Sequence, residues 1–77
     1  MRADEFREIL RRWPFQAFRM HLSTGLTHDV RHRDFALVGR SIVWLYPPTT
    51  EDETPTGENE IVVNLLHIVW IEFLAVP

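Results

Sequence analysis

Hydrophobic positions near the start of the chain recur with the period of a helix. Asp4 can cap the start of such a helix, and Pro14 disfavours helical backbone in the residue that precedes it. The pattern predicts a helix over about residues 4–13. About ten residues are too few for a helix that is stable alone in water, so its apolar stripe must pack against the rest of the chain. The stripe consists of Phe6, Ile9, Leu10 and Trp13.

The period changes to two in the next part of the chain. Apolar and polar residues alternate over residues 18–22 and again over residues 26–31, on either side of a turn at residues 23–25. Alternation of this kind predicts two strands, each with one face in contact with solvent. Residues 41–46 are rich in β-branched and aromatic side chains, which favours a further strand. The strands of this part of the chain are therefore expected within residues 15–46.

The last segment, residues 60–76, is rich in β-branched side chains and is predicted to form strands. Residues 65–67 are expected to form a corner between two of them. After this corner both alternating sets of positions are apolar, and a strand that is apolar on both faces is usually covered on both. The N-terminal helix is one expected cover, and the other is either the barrel interior or an interface with a neighbouring subunit. The predicted residues of that interface are Ile68, Trp70, Ile71 and Phe73, with Ile68 and Trp70 on one face of the strand.

Residues 47–59 separate the two groups of strands. They contain three Pro, one Gly and four acidic residues, a composition typical of a solvated loop. No repeat or linker divides the chain, so residues 1–77 are predicted to form a single domain. The expected fold is mainly β, with one N-terminal helix and a small, strongly bent, five-stranded antiparallel barrel. An α+β sheet with the helix packed on one face is the alternative.

Charge is distributed unevenly between the two halves of the chain. The net charge is −3, and the chain contains neither Lys nor Cys. All eight basic residues are Arg within residues 1–40, where five acidic residues leave a net charge of +3, whereas residues 41–77 carry six acidic residues and no base. Without Cys there is no disulfide, no thiolate metal site and no Cys nucleophile. So small a core makes aromatic packing and self-association the expected routes to stability.

No segment is predicted to enter or cross a membrane. Charged residues interrupt the start of the chain, so the apolar run of a secretory signal is missing. The most apolar stretch, residues 61–76, is shorter than the roughly 20 residues that a spanning helix needs. It also contains Asn64, His67 and Glu72, which are costly in hydrocarbon. These features predict that the protein has no membrane partner and is cytoplasmic.

Three motifs carry a resemblance to known proteins: WPFQAFRMHLSTGLTHDVRH, VGRSIVWL and LLHIVWIEFL. They resemble the pattern PFxPFxxxLxDGxxxxVxHPE…VGR…LLHIxxIE of a family of small, uncharacterised bacterial proteins, over most of residues 13–74. Arg33 stands where that family more often has Pro. A more distant resemblance is to the Sm-like fold, nearest to its bacterial RNA-chaperone (Hfq-like) branch. The shared features are a leading helix, a turn at Gly25 and a corner near His67, and they imply an Sm-like or SH3-like barrel.

The Sm-like resemblance also implies a possible nucleic-acid partner. In the Hfq-like branch a Lys-His pair near this corner binds RNA at the pore of a ring. His67 matches the His position, whereas Leu66 stands where the Lys would be. Arg is well suited to phosphate contacts and to stacking on bases, but an acidic chain loses much of the nonspecific attraction to RNA. The candidate residues for binding single-stranded RNA or another ligand are His67, Arg31, His32 and Arg33.

A metal site or an active site has less support in the sequence. His28 and His32 share a face if residues 28–32 are extended, but at about 3.3 Å per residue they lie roughly 13 Å apart, too far for one metal ion. No serine lies in a nucleophile elbow, and three glycines cannot form a phosphate-binding loop. We therefore predict no metal, no cofactor and no catalytic residue. A metal-dependent enzyme that uses His28 and His32 is the remote alternative.

Together these patterns predict a self-associating small barrel that acts as a structural or protein-interaction module. The predicted partners are further copies of the chain, and single-stranded RNA or another protein. A ring of Sm-like subunits that binds single-stranded RNA is the main alternative function.

Overall fold

The computed structural model describes residues 1–47 and 59–74. The predicted loop over residues 47–59 therefore lies almost entirely outside the described residues. Among the described residues, no helix is long and apolar enough to cross a membrane. The regular elements are α1 (Ala3–Arg11), β1 (Phe18–Leu22), β2 (Thr27–Val30), β3 (Ala36–Val38), β4 (Ile42–Leu45), β5 (Ile61–Asn64) and β6 (Ile68–Phe73). Two short 3-10 turns, Arg33–Phe35 and Leu65–His67, join β2 to β3 and β5 to β6.

The strands of the described residues form two separate antiparallel sheets of three strands each. The strand order is β2-β1-β6 in the first sheet and β3-β4-β5 in the second, and neither sheet closes into a barrel. The predicted five-stranded Sm-like or SH3-like barrel is therefore wrong, and the chain is a small mixed α/β fold. The physical reason lies at the two 3-10 turns, Arg33–Phe35 and Leu65–His67. At each of them the chain leaves one sheet and enters the other.

Both sheets and the helix contribute to one hydrophobic core. From α1, Phe6 and Ile9 are buried, and the ring of Phe6 meets the ring of Phe18 edge-on at a centroid distance of 5.7 Å. Burial of these side chains supplies the tertiary packing that so short a helix requires. The strands and turns complete the core with Phe18, Met20, Val30, Phe35, Ala36, Val43, Leu45, Val63, Leu65 and Ile68.

Helix α1 is shorter than predicted and begins earlier. It starts at Ala3 after an extended Arg2, whose backbone N–H donates to Oε1 of Glu5 at 3.0 Å. The cap therefore precedes Asp4, the predicted position. The N-terminal ammonium group donates to the carbonyl oxygen of Leu65 at 3.1 Å, which ties the start of the chain to the Leu65–His67 turn.

The predicted alternation fails at the start of β6. Ile68 pairs with Leu22 whereas Trp70 pairs with His21, so Val69 is an extra residue in the ladder. This bulge places Ile68 in the core while Val69 and Trp70 are both exposed. The prediction that Ile68 and Trp70 share a face is therefore wrong. The inserted residue Val69 shifts the alternation by one, so that Ile68 and Trp70 face opposite sides of the sheet.

Candidate functional site

The two strands that flank the Leu65–His67 turn are both edge strands. Among the described residues β5 pairs with β4 alone and β6 with β1 alone. An edge strand presents unpaired backbone N–H and C=O groups, and bare apolar side chains beside them favour pairing with another chain. We define the corner surface by four exposed apolar residues on these elements: Val62 (54% exposed), Leu66 (83%), Val69 (64%) and Trp70 (51%).

The structure separates the predicted interface residues. Trp70 lies on the corner surface, whereas Ile68 is 4% exposed and belongs to the core. Ile71 and Phe73 are half-buried and pack against the same core. The ring of Phe73 also lies beneath the guanidinium group of Arg12, 4.3 Å from the ring centroid. Val62, Leu66 and Val69 are also exposed but were not predicted as interface residues, and for Val69 the cause is the bulge, which a regular alternation does not include.

The outer face of the first sheet carries a polar row that crosses all three strands. Asp29 on β2 lies opposite Arg19 on β1, which lies opposite Glu72 on β6. The Arg19 guanidinium donates to both carboxylate oxygens of Asp29, at 2.7 and 3.1 Å, and lies 3.8 Å from Glu72. The hydrogen bonds from Arg19 lower the pKa of Asp29 below its ordinary value. This face is solvated and charged, and Trp70 of the corner surface lies on the same face, opposite His21.

A second cross-strand contact lies beside that row. The imidazole of His21 stacks on the indole of Trp70, with ring centroids 3.7 Å apart and planes 9° from parallel. Nε2 of His21 lies 2.9 Å from Oε1 of Glu72. Trp70 is thereby held flat against β1 with part of its ring in solvent.

His67 lies exposed in the Leu65–His67 turn and contacts the turn between β1 and β2. Its Nδ1 is 3.1 Å from Oγ of Ser23, and its carbonyl oxygen accepts from the Ser23 backbone N–H at 2.8 Å. The Leu65–His67 turn itself is capped by Asn64, whose Oδ1 accepts from the Leu66 N–H at 2.9 Å. His67 is therefore a surface side chain in a fixed backbone position.

The predicted basic patch lies at the opposite end of β2 from His67. Arg31 is exposed directly after β2, and the ring of His32 lies edge-on to Phe35 at a centroid distance of 5.0 Å. Arg33 is half-buried, and its Nη2 donates to the carbonyl oxygen of Arg12 at 2.9 Å. The structure does not bring His67 together with the arginines, since the Ser23 turn and Arg31 lie at the two ends of the hairpin.

Histidine placement gives no metal cluster in the part of the chain that the structure describes. No group of three or more His, Cys, Asp or Glu side chains in residues 1–47 and 59–74 is placed to hold a metal ion. His28 lies within β2, opposite Met20, and His32 lies beyond the end of that strand.

A cavity of about 570 Å³ lies between the open edge of β2 and the ends of β4 and β5. This volume is within the range of about 300–1,000 Å³ that ligand sites occupy. Its polar lining residues in the described part of the chain are Arg19, His21, Thr27, His28, Asp29 and Arg31. Its apolar lining residues there are Phe35, Leu45, Pro47 and Ile61.

Comparison of the chain with models of protein families, with curated proteins and with solved structures finds no match. The resemblances to the small bacterial family and to the Sm-like fold therefore stay predictions.

Proposed function

We propose that this chain is a self-associating structural or protein-interaction module of the cytoplasm, without catalysis of its own. The observation that carries the proposal is the corner surface. Two edge strands in different sheets, joined by the Leu65–His67 turn, both present bare apolar side chains.

The composition of this region supports pairing with another chain. Proteins usually protect edge strands with charged side chains, Lys above all. Here residues 61–71 contain no Asp, Glu, Lys or Arg, and the whole chain contains no Lys. The outer face of the first sheet is protected in the usual way, by Arg19, Asp29 and Glu72. β5 and the first part of β6 therefore present their open edges without a charged side chain.

A second copy of the chain is the partner that these edges fit. The edge of β5 belongs to one sheet and the edge of β6 to the other, so β5 of one copy can pair with β6 of the next. Such a contact joins two different patches and closes into a ring when the rotation between copies allows it. Each junction would cover Val62 and Leu66 on one copy and Val69 and Trp70 on its neighbour.

The molar mass in solution tests this proposal. We expect light scattering after size-exclusion chromatography to give a multiple of the 9.1 kDa chain mass at micromolar concentration. Leu66→Glu and Val69→Glu place a charge on the corner surface and are expected to give monomers. Trp13→Glu is the matched control, since Trp13 is also exposed (86%) but lies outside β5 and β6. A monomeric wild type, or full assembly in both corner variants, would refute the proposal.

Binding of single-stranded RNA is a second candidate, favoured by the exposed position of His67. In a ring of several copies, rotational symmetry would place one His67 from each copy around the ring axis. Several weak contacts with the same RNA strand would then increase the overall affinity. We expect fluorescence anisotropy at low salt to show binding of a mixed-sequence RNA, weakened by His67→Ala and by Leu66→Glu. Arg40→Ala serves as the control for loss of a basic residue elsewhere. No binding at low salt, where electrostatic attraction is strongest, would exclude this function.

A further inference from the structure

The outer edge of β2 is also unpaired, and its residues are more polar than those of the corner surface. The Leu22 N–H donates to the carbonyl oxygen of Leu26 at 3.0 Å, which fixes the hydrogen-bond pattern of the hairpin. In an antiparallel ladder the pairs alternate, so the N–H and C=O groups of Thr27 and Asp29 point away from β1. No strand in residues 1–47 or 59–74 pairs with this edge.

The cavity of about 570 Å³ follows this edge. Thr27, His28 and Asp29 all line it, although successive residues of a strand face opposite sides. The cavity must therefore run along the rim of β2 rather than lie on one face of it. Its floor is apolar, formed by Phe35 and Leu45, which are both nearly fully buried.

Among the described residues that line the cavity, Arg19, Asp29 and Arg31 are charged, which leaves one net positive charge. Asp29 is neutralised by the two hydrogen bonds from Arg19. Arg31 is exposed and lines the cavity, and no carboxylate of the described residues lies within salt-bridge distance of it, although its charge helps to lower the pKa of Asp29. An arginine guanidinium binds carboxylates with paired hydrogen bonds, so this end of the cavity is suited to an acidic group.

We propose that the β2 edge binds an extended peptide segment of another protein, with alternating acidic and apolar side chains, as an added strand. The Thr27 and Asp29 backbone groups form hydrogen bonds with the peptide backbone. Every second peptide side chain packs on the apolar floor of the cavity, and a carboxylate of the peptide pairs with Arg31. This is recognition by strand addition, in which backbone bonds supply affinity and side-chain pockets supply specificity.

A second copy of the chain fits this edge less well than an acidic peptide does. β5 carries no acidic residue, and the only acidic residue of β6, Glu72, already contacts His21 and Arg19. Neither strand can therefore offer Arg31 a free carboxylate. The inference specifies the partner of the proposed interaction module, and it does not depend on the corner surface.

Fluorescence anisotropy with a labelled decapeptide of alternating Glu and Val tests the proposal. We expect saturable binding by the wild type and equally by the monomer-forming Leu66→Glu variant, so failure of self-association and failure of peptide binding are separately visible. Arg31→Glu is expected to weaken binding about tenfold or more, through loss of a charge-assisted contact. Arg40→Glu, an exposed arginine outside the cavity, is the matched control and is expected to change it less than about twofold.

Thr27→Pro tests the backbone contact independently. It removes the N–H that faces the open edge, at the first residue of an edge strand, where Pro is tolerated. We expect peptide binding to be lost while Thr27→Ala keeps it, and a denaturation midpoint checks that the proline variant is folded. A peptide with Lys in place of Glu should not bind.

Three results would overturn the proposal. The first is no binding of the acidic peptide at millimolar concentration, or binding that neither Arg31→Glu nor Thr27→Pro weakens. The second is displacement of the peptide by single-stranded RNA at lower concentration, which would assign the cavity to nucleic acid. The third is slow amide exchange at Thr27 and Asp29 that appears without peptide as the protein concentration rises. That result would assign the edge to a second copy.

Discussion

The imidazole of His21 lies flat on the indole of Trp70, 3.7 Å away between ring centroids. The contact joins β1 to β6 immediately beside the bulge at Val69. The Nε2 atom of the same imidazole lies 2.9 Å from Oε1 of Glu72. The stack therefore fixes the orientation of the tryptophan that stands at one end of the corner surface.

The first prediction concerns this stack. His21→Ala removes the ring contact and the bond to Glu72, and we expect it to lower the free energy of unfolding by about 1 kcal/mol. His21→Phe keeps the stacking surface and is expected to recover about half of that loss. Urea denaturation measures both. Thr27→Ala, in the same cross-strand row, is the control, and a loss as large as that of His21→Ala would refute the role of the stack.

The second prediction concerns the pH dependence of Asp29. Its pKa is lowered in the folded chain by hydrogen bonds from Arg19. A carboxyl group of this kind adds stability above the pKa of the unfolded chain, and this stability is lost as the pH falls through the folded pKa. The pair is partly exposed, so we expect Asp29→Asn to lower the free energy of unfolding by only about 0.5 kcal/mol near pH 7.

The same variant provides the test of sign. At strongly acidic pH, where Asp29 is protonated in both states, the wild type and Asp29→Asn should be equally stable. Denaturation at both pH values, each with and without about 1 M salt to screen the pair, measures the difference. If Asp29→Asn has a lower free energy of unfolding than the wild type by the same amount in acid, Asp29 acts through packing rather than charge.

The third prediction concerns Gly25 in the turn between β1 and β2. Its φ is +89°, a region that side chains of L-residues rarely adopt, and no atom lies within 4 Å of the position that a Cβ would occupy. The cost of Gly25→Ala is therefore purely conformational, and we expect about 1 kcal/mol. Gly25→Asn should cost less, since Asn tolerates this backbone. Thermal unfolding ranks the variants, and equal losses for Ala and Asn would contradict this explanation.

The fourth prediction concerns Gly39, which is needed for a different reason. A Cβ at this position would lie 3.0 Å from the Trp44 ring, within the turn that the Gly39 N–H closes on the Ile42 carbonyl oxygen at 2.7 Å. We expect Gly39→Ala to displace the indole and to cost about 1–2 kcal/mol through overpacking. Near-ultraviolet circular dichroism should change in this variant. In Gly25→Ala, where no aromatic ring is displaced, the spectrum should stay unchanged.

The local elements were largely predictable from the sequence. Alternation over residues 18–22 matches β1, and the Gly25 turn and the corner at residues 65–67 are confirmed. The helix was predicted correctly in type and within two residues at its C-terminal end. These features depend on residues close together in the chain, where periodicity and turn composition record the backbone conformation directly.

The candidate surfaces were only partly predictable. Trp70 was expected at an interface, and it is exposed on an edge strand. Ile68 was placed beside it, but the bulge at Val69 turns Ile68 into the core. Arg33 was expected to be available to a ligand, whereas it bonds to the Arg12 carbonyl oxygen. In each case the deciding partner is far away in the sequence, so no local pattern records it.

The helix, the first hairpin, the corner and the segregation of charge can all be predicted from the sequence, because each follows from the order of neighbouring residues. The contacts between distant segments instead set the two open sheets, the unpaired edges of β2, β3, β5 and β6 among the described residues, and the side chains that the bulge exposes. Pairing and register are set by contacts between distant segments, and a shift of one residue exchanges the buried and exposed faces of a strand.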